Sequence, residues 1–437
     1  MVVLLKSFTN IFRVPELRKR MLFTLGSLII YRLGIVIPIV GVNIAMLGER
    51  LKQATGLGIL FNYFDTVSGS ALSNCTLFAL GISPYITASI AMQLLTMSIP
   101  QLEQLQKEGE YGRKIINQYT RYLTLGIAFV SSITFASGLQ AAGLALQPGF
   151  GFMFLFVVSM TAGAMFIMWL GEQISLYGVG NGASMLIFAG IVSRMPDLIA
   201  RTVQYVNIGT TDVISVAIIA AFFILIVACI VYLEKGERKI PVQYARRIVG
   251  NRIYGGQSSY IPFKINPVGV MPVIFASAAL QWPMIIFNVL GAKFESLRFL
   301  SDIINSRPVF LSLEFVLIIF FTFLYTALVF NPDELADNIK KNGGFIAGIR
   351  PGKKTAQFFD YILNRIGLVG AIYLGILAVV PDILRSIFDV PFLLTGISLL
   401  IAVGVAMEAS AQIETFLIEH RYEGFLSSGR VKNRIMR

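Results

Sequence analysis

The stretch "VISVAIIAAFFILIVACIVYL", residues 213–233, runs for 21 residues without a charged side chain, then breaks into "EKGERK" (234–239), where five of six residues are ionisable. About 20 apolar residues, rising 1.5 Å each along a helix, match the roughly 30 Å hydrocarbon layer of a bilayer. The stretch therefore reads as a membrane-crossing helix that delivers the chain directly into a loop in water.

The same pattern recurs along the chain. Apolar runs of about 20 residues centre near Ile29, Ile86, Ala128, Val158, Leu186, Ile224, Ala276, Ile319, Leu374 and Leu400. Of the 437 residues, 56% are hydrophobic and 14% charged, and the mean hydropathy is +0.74, which sets the chain in the membrane class. The expected fold is all-α with ten transmembrane helices, and an even number of crossings puts both termini on one side.

Basic residues set the orientation. With the N-terminus inside, the inner loops and tails collect Lys6, Arg13, Arg18, Lys19, Arg20, Lys107, Arg113, Lys114 and Arg121, the seven of 235–266, then Lys340, Lys341, Arg350, Lys353, Lys354, Arg365 and five in the C-terminal tail. The outer side holds Arg50, Lys52, Arg194, Arg201, Lys293, Arg298, Arg307 and Arg385. The excess is roughly threefold, so both termini are expected in the cytoplasm. The first span follows "VPELRKR" (14–20) without a small-residue cleavage site and reads as a retained helix. Cys75 and Cys229 lie in or beside spans, far apart in sequence, and read as small apolar residues.

Ten spans divide five and five, which suits two related halves: 1–210 with the first five spans, and 211–437 with the rest. The symmetry rests on the count, since no residue-level repeat is visible. No loop is expected to be long enough for a core of its own. The longest are "KGERKIPVQYARRIVGNRIYGGQSSYIPFKIN" (235–266), with seven basic residues against one acidic, and "NPDELADNIKKNGGFIAGIRPGKKTAQFFD" (331–360).

Much chemistry is excluded by what the sequence lacks. The single histidine, His420, lies near the tail, so no cluster holds zinc or haem and no cofactor is expected. "GVGNGA" (178–183) follows a span rather than a strand and has the wrong glycine spacing for a dinucleotide site. In "GIRPGKKT" (348–355) the first glycine is one residue too close and Lys354 intrudes before Thr355, which spoils a phosphate loop. Ionisable groups at membrane depth are Arg32 in the first span and Glu408 near the end of the last. The interiors of the second, fourth, sixth, seventh and eighth spans are read as having none, which disfavours an ion-coupled carrier. Arg32 is expected to snorkel toward an interface. A membrane hydrolase is disfavoured by the absence of a base or carboxylate pair.

Residues 55–73, "TGLGILFNYFDTVSGSALS", are too short and polar to cross. Ile59, Leu60, Tyr63 and Phe64 form one apolar face at helical spacing, followed by a Ser/Gly-rich stop. Two readings stay open: a short helix on the outer surface, or a re-entrant segment covered by protein. In the next span, "CTLFALGISPYITASIAMQLLT" (75–96), Pro84 is expected to bend the helix. Ile82 and Ile86 lie four apart on one face, as do Ile187 and Ile191, a pattern that by itself says only lipid-facing or helix-packing.

Five stretches together resemble the SecY family of bacterial protein-conducting channels: "ALGISPYITASIAMQLLT" (79–96), "KEGEYGRKIINQYTRY" (107–122), "MWLGEQISLYGVGNGASMLIFAGIV" (168–192), "GVMPVIFAS" (269–277) and "GIRPGKKTA" (348–356). The resemblance runs from "VPELRKR" to the last span. It implies a non-enzymatic subunit that passes unfolded secretory polypeptides across the bacterial plasma membrane and releases apolar segments into lipid. It also implies a pore ring at Ile82, Ile86, Ile187, Ile191, Ile274 and Ile401, and a plug at residues 55–73. The second, third, seventh and eighth spans would form a lateral gate, with Thr87, Gln93, Asn266 and Trp282 as its polar and aromatic positions. Asn266, just before Pro267, is equally a helix cap.

The two long loops, with Arg246, Arg247 and Arg252 near a Gly-rich tip and with Arg350, Lys353 and Lys354, match the family's docking loops for the ATPase motor SecA or the ribosome. "KIPVQYA" and the turn glycines Gly255 and Gly256 suit a hairpin held clear of the membrane. Guanidinium groups suit the phosphates of ribosomal RNA and the carboxylates of an ATPase. SecE and SecG subunits, signal sequences, translocating polypeptides and membrane lipids are the other partners implied. A simpler function for this charge, as topology signal and anionic-lipid anchor at about 1 kcal/mol per basic residue near the surface, explains the charge but not the length.

Overall fold

In a computed structural model of the chain, the described residues are 14–42, 69, 71–141, 143–209, 212–244, 247–249, 252–254, 258–280, 283, 303, 306–388 and 395–428. The elements in order are α1 (Pro15–Val36), α2 (Ser83–Ser98), α3 (Pro100–Lys107), α4 (Glu110–Ala141), α5 (Phe150–Tyr177), α6 (Gly182–Ser193), α7 (Met195–Ile208), α8 (Val213–Lys235), β1 (Glu237–Tyr244), β2 (Arg247–Val249), β3 (Arg252–Tyr254), β4 (Ser258–Lys264), α9 (Met271–Leu280), α10 (Arg307–Val329), α11 (Pro332–Lys341), β5 (Gly344–Phe345), α12 (Lys353–Phe388) and α13 (Gly396–Ser428). Every one of the expected span centres falls on a helix. Seven helices among the described residues are long and apolar enough to cross a membrane. Among the rest, α2 has only 16 residues and α1 carries Arg18, Lys19, Arg20 and Arg32. The chain divides into two compact units, Met1–Met195 with Val405–Arg437, and Pro196–Gly404.

The first unit shows how non-helical backbone survives among apolar helices. Residues 71–82 form consecutive turns, whereas a helix was expected from Cys75. Their polar groups are paired locally and to the end of α1: Thr76 N donates to Ala71 O at 3.0 Å, Ile39 N to Cys75 O at 2.9 Å and Leu77 N to Ile37 O at 3.0 Å. Pro84 therefore does not bend a helix; it stands in the first turn of α2, where its missing N–H has no partner to lose. The Phe78 ring stacks between Tyr31 and Phe166, at 6.2 Å and 5.7 Å between centroids. It fills the space that a side chain at Gly34 would need, and a Cβ at Gly163 would collide with the Leu77 carbonyl.

The glycine loop 178–182 is closed in the same way. Val179 N donates to Thr24 Oγ1 (3.0 Å), Gly180 N to Gln412 Oε1 (2.7 Å) and Gly182 N to Ser175 Oγ (2.8 Å), while Arg20 Nη1 donates to Gly178 O (3.4 Å). With these donors taken, the loop has no nest for a phosphate, in line with its spacing. Leu17 and Val179 pack there with Met21, Ile413 and Phe416, and the Arg20 guanidinium lies 4.9 Å over the Phe416 ring.

In the second unit the two long loops merge. Strand β1 pairs antiparallel with β4, from Glu237 opposite Lys264 to Gln243 opposite Ser258, and with β5 through Gln243 opposite Phe345, giving the order β4-β1-β5. Ile240, Val242 and Phe263 from the first loop bury against Ala336, Ile339, Ile346, Phe359, Ile362 and Leu363 from the second loop and α12. The expectation that neither loop has a core is thus corrected: each lacks one alone, and together they share one. Helix α11 is strongly specified, with Asn331 accepting from Asp333 N (3.2 Å) and Glu334 N (3.4 Å), acidic residues in its first turn and lysines in its last. The hairpin reading holds, with β1 antiparallel to β4. Strands β2 and β3 pair antiparallel with Val249 opposite Arg252, and Gly255 and Gly256 lie outside the described residues.

The expected absence of charge inside the eighth span is also corrected. Glu314 lies within α10 and is only 2% exposed. A single carboxyl at the eighth position of a 23-residue helix escapes a scan that averages hydropathy over the window.

Phe359 is fully buried where the loop core meets α12. Phe359→Ala is expected to cost about 3–5 kcal/mol locally. Limited trypsin digestion should then cut at Lys239 and Lys264 several-fold faster than in the parent protein, while the span helices stay protected.

Candidate functional site

The six isoleucines expected to line a pore are all buried, between 0% and 8% exposed, and none of them lies in a loop exposed to water. In the first unit, Ile82 immediately precedes α2 and Ile86 lies on its first turns, while Ile187 and Ile191 lie on α6. The start of α6 is fixed by Asn181, whose Oδ1 accepts from Ala183 N at 3.1 Å, and by the close approach of Gly182 to the Gly171 carbonyl of α5. Gly171 in turn leaves room for the Ile82 and Leu186 methyl groups, whose carbons stand 3.3 and 3.4 Å from where its Cβ would be. The glycines thus set the height of α6 against α5 and α2, and with it the level of all four isoleucines.

In the second unit, Ile274 sits on α9 and Ile401 on α13. Phe275, next to Ile274, packs edge-on against Tyr325 (5.0 Å) and Phe321 (6.4 Å) of α10. Val270 at the start of α9 occupies the space left by Gly404, three residues beyond Ile401. The entry to α13 is pinned by Thr395 and Asp382, which accept from Ser398 N (3.3 Å) and Gly396 N (3.2 Å). Aliphatic side chains at these positions offer a passing polar chain no hydrogen bond and no charge.

The expected gate positions differ among themselves. Thr87 is half-buried and donates to Ser83 O at 3.1 Å, satisfying its hydroxyl within its own helix. Gln93 has a buried Oε1 with no hydrogen-bond partner among the described residues. Asn266 is 2% exposed; its Nδ2 donates to Glu234 Oε1 at 2.8 Å and to Gly269 O at 2.9 Å, and its Oδ1 has no partner among the described residues. It is no helix cap, because α9 begins only at Met271 and the side-chain oxygen accepts nothing from the described residues. It ties the end of α8 to the 266–270 turn instead. Glu234, which sequence reading did not single out, is its acceptor; the signal available was only a carboxylate beside a span end. Trp282 lies outside the described residues, as do the plug residues Ile59, Leu60, Tyr63 and Phe64, and Arg246.

On the loops, Arg247 and Arg252 stand in the β2–β3 ribbon, opposite Tyr254 and Val249. Arg350, Lys353 and Lys354 are exposed, and the two lysines occupy the first turn of α12, which holds no acidic residue. Cations there meet the positive end of the helix dipole, which disfavours them by about 0.3–1 kcal/mol each. Their placement is therefore unexplained by folding and concentrates positive potential at one exposed end. "GIRPGKKT" makes no phosphate nest, since Thr355 N and Ala356 N both donate to Gly352 O. Elsewhere on the sheet, Glu237 pairs with Lys239 at 3.1 Å and raises the pKa of its ammonium group, with the Tyr260 ring 4.8 Å away.

Residues 76–410 match the SecY family model. The protein translocase subunit SecY of Escherichia coli K12 is 44% identical over 424 residues, covering 95% of each chain. The chain belongs to the SecY family. Among solved structures, that of a protein-conducting channel superposes with a TM-score of 0.64 at 19% identity, covering 95% of each chain. Sec61 in a canine ribosome-channel complex from the endoplasmic reticulum gives 0.61 at 18%, with the same coverage. These likenesses reach across very low identity, so SecY-family architecture is carried by helix packing more than by particular residues.

Asn266→Asp tests the α8 contact, because it sets a carboxylate against Glu234 and a carbonyl. It is expected to destabilise the detergent-purified protein by about 2–3 kcal/mol, more than Asn266→Ala. Thermal unfolding at pH 7 against pH 4.5 should show the penalty shrink in acid, where carboxylates protonate.

Proposed function

We propose that this chain is the channel-forming subunit of a bacterial protein translocase, which passes unfolded secretory polypeptides across the plasma membrane and releases apolar segments into lipid. The observation that carries this reading is the set of six buried isoleucines on or just before α2, and on α6, α9 and α13, at the positions the family uses for its pore ring, in a chain that matches the family nearly end to end. An aliphatic collar excludes ions by dewetting when empty and closes around a passing chain without binding it. The subunit itself catalyses nothing; a partner motor or the ribosome drives transport. We assign it ten spans, both termini in the cytoplasm, and two related halves at 1–210 and 211–437.

The mechanism is an exchange of burials. An apolar signal sequence packs into the lateral gate beside Thr87, Gln93, Asn266 and Trp282, replacing contacts between the gate spans. The plug at 55–73, with Ile59, Leu60, Tyr63 and Phe64 on its apolar face, leaves its seat and the chain enters the collar. Segments that are apolar enough leave sideways, favoured by about 0.3–0.6 kcal/mol per central Leu, Ile, Phe or Val. Among the described residues the side-chain oxygens of Gln93 and Asn266 have no hydrogen-bond partner, which suits positions that meet changing partners. The cationic end of α12, with Arg350, Lys353 and Lys354, and the ribbon with Arg246, Arg247 and Arg252 receive SecA or ribosomal RNA. SecE and SecG complete the complex.

Ile86→Asn is expected to raise the resting ion leak of reconstituted channels at least several-fold and to let preproteins with weakened signal sequences through. A photoreactive probe at Ile86 or Ile274 should label a preprotein stalled in transit, while one at the exposed Phe320 should not. Equal labelling at all three would place the route elsewhere. Arg350→Glu should abolish motor-dependent transport without altering the resting leak, whereas a small-solute carrier would tolerate it.

A further inference from the structure

The water-facing sheet holds a proline on each of its two longer strands, Pro241 on β1 and Pro262 on β4, and the mechanism above uses neither. Proline cannot donate to a ladder, so its place in the register matters. In an antiparallel pair, hydrogen-bonded and non-hydrogen-bonded residue pairs alternate. Ile265 N donates to Gly236 O at 2.9 Å, one step beyond Glu237 opposite Lys264. Counted along the strands from there, the hydrogen-bonded pairs are Arg238 with Phe263, Ile240 with Ile261 and Val242 with Ser259. Lys239 with Pro262, and Pro241 with Tyr260, fall between them. Both prolines therefore turn the nitrogen away from the partner strand, and the β1–β4 ladder loses no bond to them.

What each nitrogen faces instead is an open edge. Among the described residues β4 has only β1 as a neighbour, and β5 covers β1 only at Gln243 and Tyr244. Pro262 thus interrupts the outer edge of β4 between Tyr260 and Lys264, and Pro241 interrupts the uncovered edge of β1 just before Gln243 turns to Phe345. A strand laid on either edge finds two successive bonding positions, 258 and 260 on β4 or 237 and 239 on β1, and then a ring where the next donor would be. Lys264 and Lys239 stand two residues from the prolines, both exposed, and charge on an edge hinders pairing further. Strand β5 has only two residues. Among the described residues, every edge of this sheet is short or interrupted.

An unfolded polypeptide carries free N–H and C=O groups along its whole length, and addition to a sheet edge recruits them through the main chain. A sheet with a long bare edge on the receiving loops would hold every chain that passes. We propose that Pro241 and Pro262 are specificity-determining residues that bar unfolded substrate from joining the water-facing sheet as an added strand, leaving it free to enter the channel. This rests on the reading of the preceding subsection, in which the substrate is an unfolded secretory polypeptide. Two copies in one membrane bring these edges together only in particular rotations, whereas substrate passes the loops in every cycle. The prolines act alike on different strands: each leaves its own ladder whole and removes one donor from the edge that substrate meets.

The test uses the full channel complex with its motor in proteoliposomes. The probe is a fluorescent Val/Thr-rich peptide of about six residues, a usual strand length, beside the same peptide N-methylated at every residue. Pro241→Val and Pro262→Val each return one N–H to an open edge. Each variant is expected to bind the first peptide about fivefold more tightly than the parent complex, the factor matching one hydrogen bond of ~1 kcal/mol, and the methylated peptide no more tightly. The double variant should transport a preprotein with a Val/Thr-rich mature part several-fold more slowly, and one with a Gly/Pro-rich mature part at the parental rate. Parental binding and parental rates in the variants would overturn the proposal. So would equal gains with the methylated peptide, which cannot lie down as a strand. Crosslinking between two copies of a variant, with no gain in peptide binding, would assign the prolines to keeping copies apart and overturn it as well. Trypsin cleavage at Lys239 and Lys264 reports on the sheet itself; if both variants loosen it, the prolines serve folding and the proposal falls. A parent complex that transports neither preprotein would instead sink the channel reading.

Discussion

A backbone surrounded by hydrocarbon must satisfy its own polar groups, and the rest of this structure follows from that constraint. Most of the chain meets it with helices. The two irregular stretches beside the apolar helices of the first unit meet it by borrowing partners. The turns at 71–82 pair with the end of α1, and the 178–182 loop is closed by Thr24, Ser175 and Gln412. Both irregular stretches adjoin helices that carry proposed collar residues. They stop α2 and α6 at defined heights, so satisfying the backbone also places Ile82, Ile86, Ile187 and Ile191.

Close approach without large side chains complements this. Gly34, Gly163, Gly171 and Gly182 leave room for a ring, a carbonyl, two methyl groups and another carbonyl. In lipid there is little hydrophobic drive between helices, so attraction comes from contact, and small residues increase it. In the water-facing part the ordinary hydrophobic effect takes over. There the two long loops bury Ile240, Val242, Phe263, Ile339 and Phe359 in one shared core. That core presents the exposed cations at the start of α12 on a firm support, which a free loop would not.

Much was legible in the sequence because hydropathy is a property of composition over a window. Span centres and the hairpin of the first long loop follow from local pattern, whereas the spacing of the isoleucines left open whether they face lipid or a neighbouring helix. What escaped were the details that depend on neighbours. Pro84 looked like a kink because nothing in "CTLFALGISPYI" reveals that the helix waits until Ser83. Asn266 looked like a cap because Asn-Pro often is one, yet its amide is claimed by Glu234, thirty-two residues earlier. Glu314 vanished in an apolar average.

The sequence by itself determined that this is a helical membrane protein and where its helices centre, since both are set by local composition. It also carried the family. The tertiary structure alone decided that the two long loops form one core and that Asn266 joins α8 to the turn before α9. It also decided that Arg32 turns to Ser193 and Gly69 instead of to an interface. Those outcomes depend on which groups meet across tens or hundreds of residues, and a polar group in such surroundings goes to whatever partner the packed helices bring within 3 Å or so.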